Sequence, residues 1–233
     1  MVTKLKNIAC AAILAIMASV GATAEGPGTQ RISLSVTTMG FCGVKLAWEY
    51  AVTPEVWVGA FYQASAVMIA QGDFNTGEVG ASARWDKNLG AGFFAEAALE
   101  AGYRFQNQNL GFTQSAFSRQ DLRAGYRAGP FGFGADLGWD QTWVTNIRHS
   151  DYVRATWSDR YENCAAAPES TTLVCPATVL RLGGFASATV ADRIDLSLSG
   201  GWAFTPGAPF GGFDGMMFGH FPFYADFSVR VPY

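Results

Sequence analysis

Residues 194 to 204 alternate strictly between two characters. Ile194, Leu196, Leu198, Gly200, Trp202 and Phe204 share one parity, while Arg193, Asp195, Ser197, Ser199, Gly201 and Ala203 share the other. A period of two sends successive side chains to opposite faces of an extended chain, so this segment predicts a strand with one apolar and one polar face. The same period organises Val44, Leu46, Trp48, Tyr50 and Val52 against Lys45, Ala47, Glu49 and Ala51. It returns where Phe93, Ala95, Ala97, Leu99, Ala101, Tyr103 and Phe105 alternate with Glu96, Glu100 and Arg104. Reading turns from Gly, Pro, Asn and Asp predicts strands at 31–38, 44–52, 57–69, 78–86, 91–105, 121–128, 131–144, 178–190, 194–204 and 221–233. In the third, Gln63 and Ser65 favour Val58, Ala60 and Tyr62 on the apolar side.

The connections alternate in length. Thr53–Val56, Lys87–Gly90, Gly129-Pro130 and Ala191-Asp192 are short, whereas Met39–Gly43, Ala70–Gly77, Gln106–Gln120, 145–177 and Thr205–His220 are longer. Short turns at one end and long loops at the other predict an all-β, up-and-down antiparallel transmembrane β-barrel of about ten strands, with eight as the alternative count. Fusing the first two strands would give nine and leave the termini at opposite ends, so ten is preferred.

The polar parity decides which face meets lipid. It carries Glu49, Glu78, Glu96, Glu100, Asp121, Asp136, Asp140, Asp195 and Asp226, and with them Lys45, Arg84, Arg104, Arg123, Arg127, Arg181, Arg193 and Arg230. So many charges cannot be packed into a water-soluble protein's core, but a wet, mutually neutralising lumen accepts them. On the apolar parity, Trp48, Tyr50, Trp85 and Tyr233 fall toward the short turns, and Tyr103, Trp143, Phe204 and Phe223 toward the loops. These form two expected aromatic girdles at the headgroup levels. A two-residue hairpin at Gly129-Pro130 would set Arg123 opposite Asp136 and Tyr126 opposite Phe133.

The last strand is the most specific. Phe223, Ala225, Phe227, Val229, Val231 and Tyr233 alternate with Asp226, Ser228 and Arg230 and end with the sequence. In this the chain resembles the bacterial outer-membrane β-barrel proteins, whose closing strand and terminal aromatic are read by the barrel-assembly machinery. The family usually ends in Phe or Trp, whereas this chain ends Pro232-Tyr233. The resemblance covers the mature chain in pattern and selects no subfamily. It implies a porin-like location in the outer membrane of a Gram-negative bacterium, with membrane lipid and the assembly machinery as partners.

Composition sharpens the picture. The chain of 233 residues is 49% hydrophobic and only 15% charged, with 27 glycines and 18 phenylalanines, which excludes a disordered tail and a coiled coil. Lys4 and Lys6, the apolar run Ile8–Val20 and Ala22-Thr23-Ala24 predict a cleaved leader over 1–24 and a single barrel domain over 25–233. The run is short of the roughly 18 to 20 residues a membrane-crossing helix needs. Cleavage takes two lysines and no acid from a formal charge of −3, so no basic footprint for nucleic acid remains. Export favours an oxidised Cys164–Cys175 bridge, which would stabilise the long loop 145–177 by roughly 3 kcal/mol in a chain-entropy estimate. Cys42 is left over, as a buried thiol or an intermolecular contact.

Catalytic chemistry finds little support. Glu96 and Glu100 lie on one face but roughly 13 Å apart at strand rise, too far for a paired-carboxylate mechanism. His149-Ser150-Asp151 has the residue types of a hydrolase, but contiguous residues in an extended chain point in alternate directions and cannot relay a proton among themselves. Outer-membrane lipid A deacylases resemble it only in combining such residues in a barrel, and His220 reads as a loop residue. With two histidines and no paired cysteine spacing, no metal or other cofactor is expected. Loop 145–177 mixes Tyr152, Trp157 and Tyr161 with both charge signs, which suits a glycan or surface partner, or equally a cap folded over the barrel mouth. The leading reading is a structural or surface-interacting barrel with a lumen filled by ion pairs, or a small passive pore. An outer-membrane hydrolase acting on lipid or peptide and a soluble periplasmic ligand-binding barrel are the alternatives.

Overall fold

The computed structural model describes residues 27–37, 43–65, 76–108, 111–149, 165–166, 172–174, 177–191, 193–204 and 223–232. The expected leader, Cys42, Cys164, Cys175, Ser150, Asp151, His220 and Tyr233 lie outside them. His149 is described by its backbone alone.

Among the described residues, twelve strands follow one another with no helix between them. They are β1 (Gln30–Thr37), β2 (Gly43–Ala51), β3 (Val56–Ser65), β4 (Thr76–Gly90), β5 (Phe93–Gln108), β6 (Gly111–Ala128), β7 (Phe131–His149), β8 (Ala165–Ala166), β9 (Thr172–Val174), β10 (Ala177–Val190), β11 (Ile194–Phe204) and β12 (Phe223–Pro232). Each pairs antiparallel with its neighbour in sequence from β1 to β7 and from β10 to β12. Two further pairings close the ring. β1 lies on β12, with Ile32 opposite Val231, and β7 lies on β10, with Leu137 opposite Leu182. The result is a closed barrel of ten strands, on whose rim β9 and β8 extend β7. Closure leaves no unpaired edge around the wall, a requirement where lipid offers backbone groups no hydrogen bonds.

All ten predicted strands are present, and β1 and β2 are distinct antiparallel strands with Thr37 opposite Gly43. The stretch 106–120, expected as a loop, is a correction. β5 continues to Gln108, β6 begins at Gly111, and the two stay in register to the tip. Part of 145–177 is also strand: β7 runs to His149, and β9 pairs with it through residues 172–174. A transmembrane strand needs only about 9 to 11 residues, so β5 to β7, at 16, 18 and 19, overshoot the bilayer at the loop end. At the opposite end the turns are tight. Gly129 takes φ of 60° ahead of Pro130, the positive angle that a two-residue primed turn demands and that glycine supplies without steric cost. The hairpin sets Arg123 opposite Asp136 and Tyr126 opposite Phe133.

The sidedness follows the strand parity. Leu46, Val58, Leu99, Leu122, Leu137, Leu182 and Leu198 are exposed around the outside, while Glu78, Asp136, Arg104 and Arg181 are buried within. A continuous apolar exterior of this extent is untenable in water and appropriate to hydrocarbon. Trp48, Tyr50, Trp85, Tyr103, Trp143, Phe204 and Phe223 all stand on that exterior. Cross-strand neighbours there touch as rings: Phe93 meets Tyr126 at 5.2 Å and Trp202 meets Phe223 at 5.9 Å between centroids.

Candidate functional site: the charged lumen

Inward-pointing residues of neighbouring strands converge on the axis, so the lumen is built by register. Its upper part, toward the loops, is held by two arginines and three acids. Arg104 donates to Glu78 at 2.8 Å, to Asp140 at 3.3 Å and to Thr142 at 3.0 Å. Arg119 donates to Glu78, Asp140 and Glu100, each at 3.0 Å. Glu78 is 0% exposed and Arg104 2% exposed, so each charge relies on the other for the solvation it has lost. Four strands, β4 to β7, are tied across the axis by these contacts alone.

Below them, Lys45 pairs with Glu100, and Arg181 pairs with Asp121 and reaches Asp226 at 3.5 Å. Arg181 lies over Gly138, its register partner. A Cβ at Gly138 would stand 2.6 Å from the guanidinium carbon, so any larger residue there makes the arginine shift. Arg123 lies 3.5 Å from Asp136 and donates to Ser199 at 3.1 Å. Toward the short turns, Arg31 holds Glu49 at 2.6 Å and Asp86 at 3.4 Å, and Arg84 approaches Glu49 at 3.5 Å and Glu96 at 3.6 Å. Asp195 accepts from the Thr189 hydroxyl at 2.8 Å. Of the residues expected in the network, Arg104 meets Asp140 and Arg123 meets Asp136. Glu96 instead lies by Arg84, Glu100 is held by Lys45 and Arg119, and Arg181 by Asp121 and Asp226. Arg127 and Arg230 make no ion pair with a described residue.

Sequence reasoning passed over a second ingredient. Trp57, Phe61, Phe94, Phe117, Phe185 and Tyr224 point into the lumen, and every one of them lies against a cation. Arg31 sits 3.9 Å from the Trp57 ring centre, Lys45 4.7 Å from Phe61, and Arg127 4.5 Å from Phe94. Arg104 and Arg119 flank Phe117 at 4.9 and 5.4 Å, Arg123 lies 5.3 Å from Phe185, and Arg181 5.5 Å from Tyr224. The electron-rich faces stabilise guanidinium groups in a place poor in bulk water, each by about 0.5 to 2 kcal/mol. Arg31 and Arg119 were likewise missed. The first stands at the opening of a predicted strand, and the second lies within the misread loop.

The interior is not solid. A space of about 110 Å³ at mid-height is lined by Lys45, Glu49, Glu100, Asp121 and Arg181. A larger cavity of about 770 Å³ lies at the short-turn end. Gln63 and the Asp136 carboxylate are buried without a hydrogen bond to described protein atoms, which suits a hydrated rather than an oily interior. Among the described residues, no three His, Cys, Asp or Glu side chains stand where they could hold a metal ion.

No protein-family model matches the chain. No curated protein matches it either. Among solved structures it is similar to Ail, the attachment invasion locus protein of Yersinia pestis, at 8% identity and a TM-score of 0.41, over 89% of this chain and 98% of that one. It is similar to the CymD monoaromatic hydrocarbon channel at 6% identity and a TM-score of 0.30, over 89% and 88%. For CarO of Acinetobacter baumannii the figures are 12%, 0.19, 89% and 97%. The chain's own geometry carries the assignment. A closed antiparallel cylinder, apolar outside and ionic within, is the architecture of an outer-membrane-type β-barrel.

Proposed function

We propose that this protein is a non-enzymatic outer-membrane barrel with a structural or surface-interacting role, its lumen obstructed by the ion network. The observation that carries this reading is the Arg104–Glu78–Arg119–Asp140 cluster, which bridges β4 to β7 with a fully buried carboxylate at its centre. Side chains locked to both neighbours and stacked on Phe117 do not swing aside for a passing ion without losing several charge-assisted bonds at once. The overshooting sheet of β5, β6 and β7, extended by β9 and β8, supports a role at the cell surface, because it presents strand beyond the bilayer. The stretch 145–177, whose described residues belong mostly to β7, β8 and β9, is the proposed contact for a glycan or surface partner.

Planar-bilayer recording tests the obstruction. The native barrel is expected to show no large steady conductance, and Glu78→Gln to raise current by loosening both arginines. Steady large conductance from the native protein would replace this reading with the small passive pore. The mid-height space of about 110 Å³ favours that second reading.

A further inference from the structure

The cavity at the short-turn end has a chemistry of its own. Its mouth is framed by turn residues, Pro54, Gly129 and Pro130 among them, and its inner wall includes Arg230, which also borders the mid-height space. At about 770 Å³ it is within the range of roughly 300 to 1,000 Å³ typical of small-molecule pockets.

The acids near Arg230 are engaged elsewhere. Glu49 is held by Arg31 at 2.6 Å, Glu96 lies by Arg84 at 3.6 Å, and Asp86 lies by Arg31 at 3.4 Å. Asp195 faces Arg230 across the β11–β12 ladder, yet its carboxylate takes the Thr189 hydroxyl instead. Arg230 therefore has no hydrogen bond or ion pair among the described residues; around it stand the guanidiniums of Arg84 and Arg31 and, beyond ion-pair distance, the carboxylates of Glu96 and Glu49. Arg127 lines the same cavity, rests on Phe94 and makes no ion pair with a described residue. The lining carries five cations, Arg31, Lys87, Arg123, Arg127 and Arg230, against four acids, Glu55, Asp86, Glu96 and Asp195, and two of those cations have no ion-pair partner among the described residues; with the Ser197 and Ser228 hydroxyls this makes a site short of an anion.

We propose that this vestibule binds a phosphate-bearing solute, with Arg230 and Arg127 supplying the charge and Ser228 a hydroxyl. Guanidinium groups match oxyanions in planar, paired hydrogen bonds. Two unengaged cations suit the double charge of a phosphate better than a single carboxylate, and the remaining volume accommodates an organic portion. The wall around it is ionic and inside the barrel, so a phospholipid headgroup would leave its acyl chains no apolar path. The site stands apart from the upper cluster, and whether the lumen conducts does not bear on it.

Inorganic phosphate is the probe. Titrated by calorimetry into the folded full-length barrel in nonionic detergent, at ionic strength held constant with sodium chloride, it is expected to bind saturably at one site. Arg230→Gln should weaken binding at least tenfold, and Arg127→Gln by a smaller factor. Ser228→Asp places a carboxylate on the same strand face as Arg230 and should abolish binding, while heat-modifiable gel mobility shows the barrel still closed. Non-saturating heats from native protein would overturn the proposal. So would saturable binding that Arg230→Gln and Ser228→Asp both leave unchanged.

Discussion

Single residues in this lumen act through the partners they hold. Glu78 receives both Arg104 and Arg119, as the buried Asp140 does, and is itself wholly shielded from solvent. Replacing it with glutamine keeps the shape and removes the charge, leaving two guanidiniums with Asp140 as their shared acid. The expected loss is about 3 kcal/mol, at the lower end for breaking a buried pair, read as a lower denaturant midpoint for unfolding from lipid vesicles. Gly138 shows the opposite dependence, on space rather than charge. Gly138→Ala should lift Arg181 away from Asp121 and Asp226 and cost about 1 to 3 kcal/mol, as overpacking does. A further Arg181→Ala change in the same chain should remove the clash, so that Gly138→Ala then costs little. Equal costs in both backgrounds would show that the arginine is not what the glycine makes room for.

At the level of strands and turns, two media shape the wall. Leu99 lies on the outer face of β5 between Phe93 and Tyr103, near the middle of the hydrocarbon. Leu99→Arg is expected to destabilise the barrel by about 2 to 4 kcal/mol, whereas Val52→Arg, beside a short turn, should cost about 1 kcal/mol or less. Similar costs at the two positions would contradict the proposed depth of the membrane. The Gly129-Pro130 turn sets the register of the β6–β7 pair, the longest in the barrel. Gly129→Ala forces a side chain onto φ of 60° and should cost about 1 to 2 kcal/mol, appearing as slower folding into detergent micelles with the final gel mobility unchanged.

The whole molecule joins these parts by closure. β12 meets β1 through seven register pairs, from Arg31 opposite Pro232 to Thr37 opposite Asp226, so the two ends of the described chain seal one seam. Unheated protein should therefore migrate differently from boiled protein on a denaturing gel and fractionate with the outer membrane. Leu34→Pro, which removes a backbone donor from that seam because alternate residues of β1 bond to β12, should abolish the mobility difference. Release by osmotic shock, with no mobility shift, would return the chain to the soluble alternative.

Much of this was legible along the chain. Ten strands, their sidedness and the alternation of short and long connections all follow from a period of two between apolar and polar residues. That period exists because the wall separates two media: each parity meets one of them, and the composition records which. The record fails where both faces meet the same medium. Gln106, Asn107, Gln108, Thr113 and Gln114 lose the alternation because β5 and β6 have left the bilayer there, although their pairing continues. A register shift between Ala116 and Phe117 then hid Arg119 from parity counting. Which acid meets which arginine, the cation over each lumenal ring, the space kept by Gly138 and the solitary position of Arg230 depend on contacts across the axis between strands distant in sequence. Parity assigns a side chain to the lumen, and only closure of the cylinder brings it to a partner.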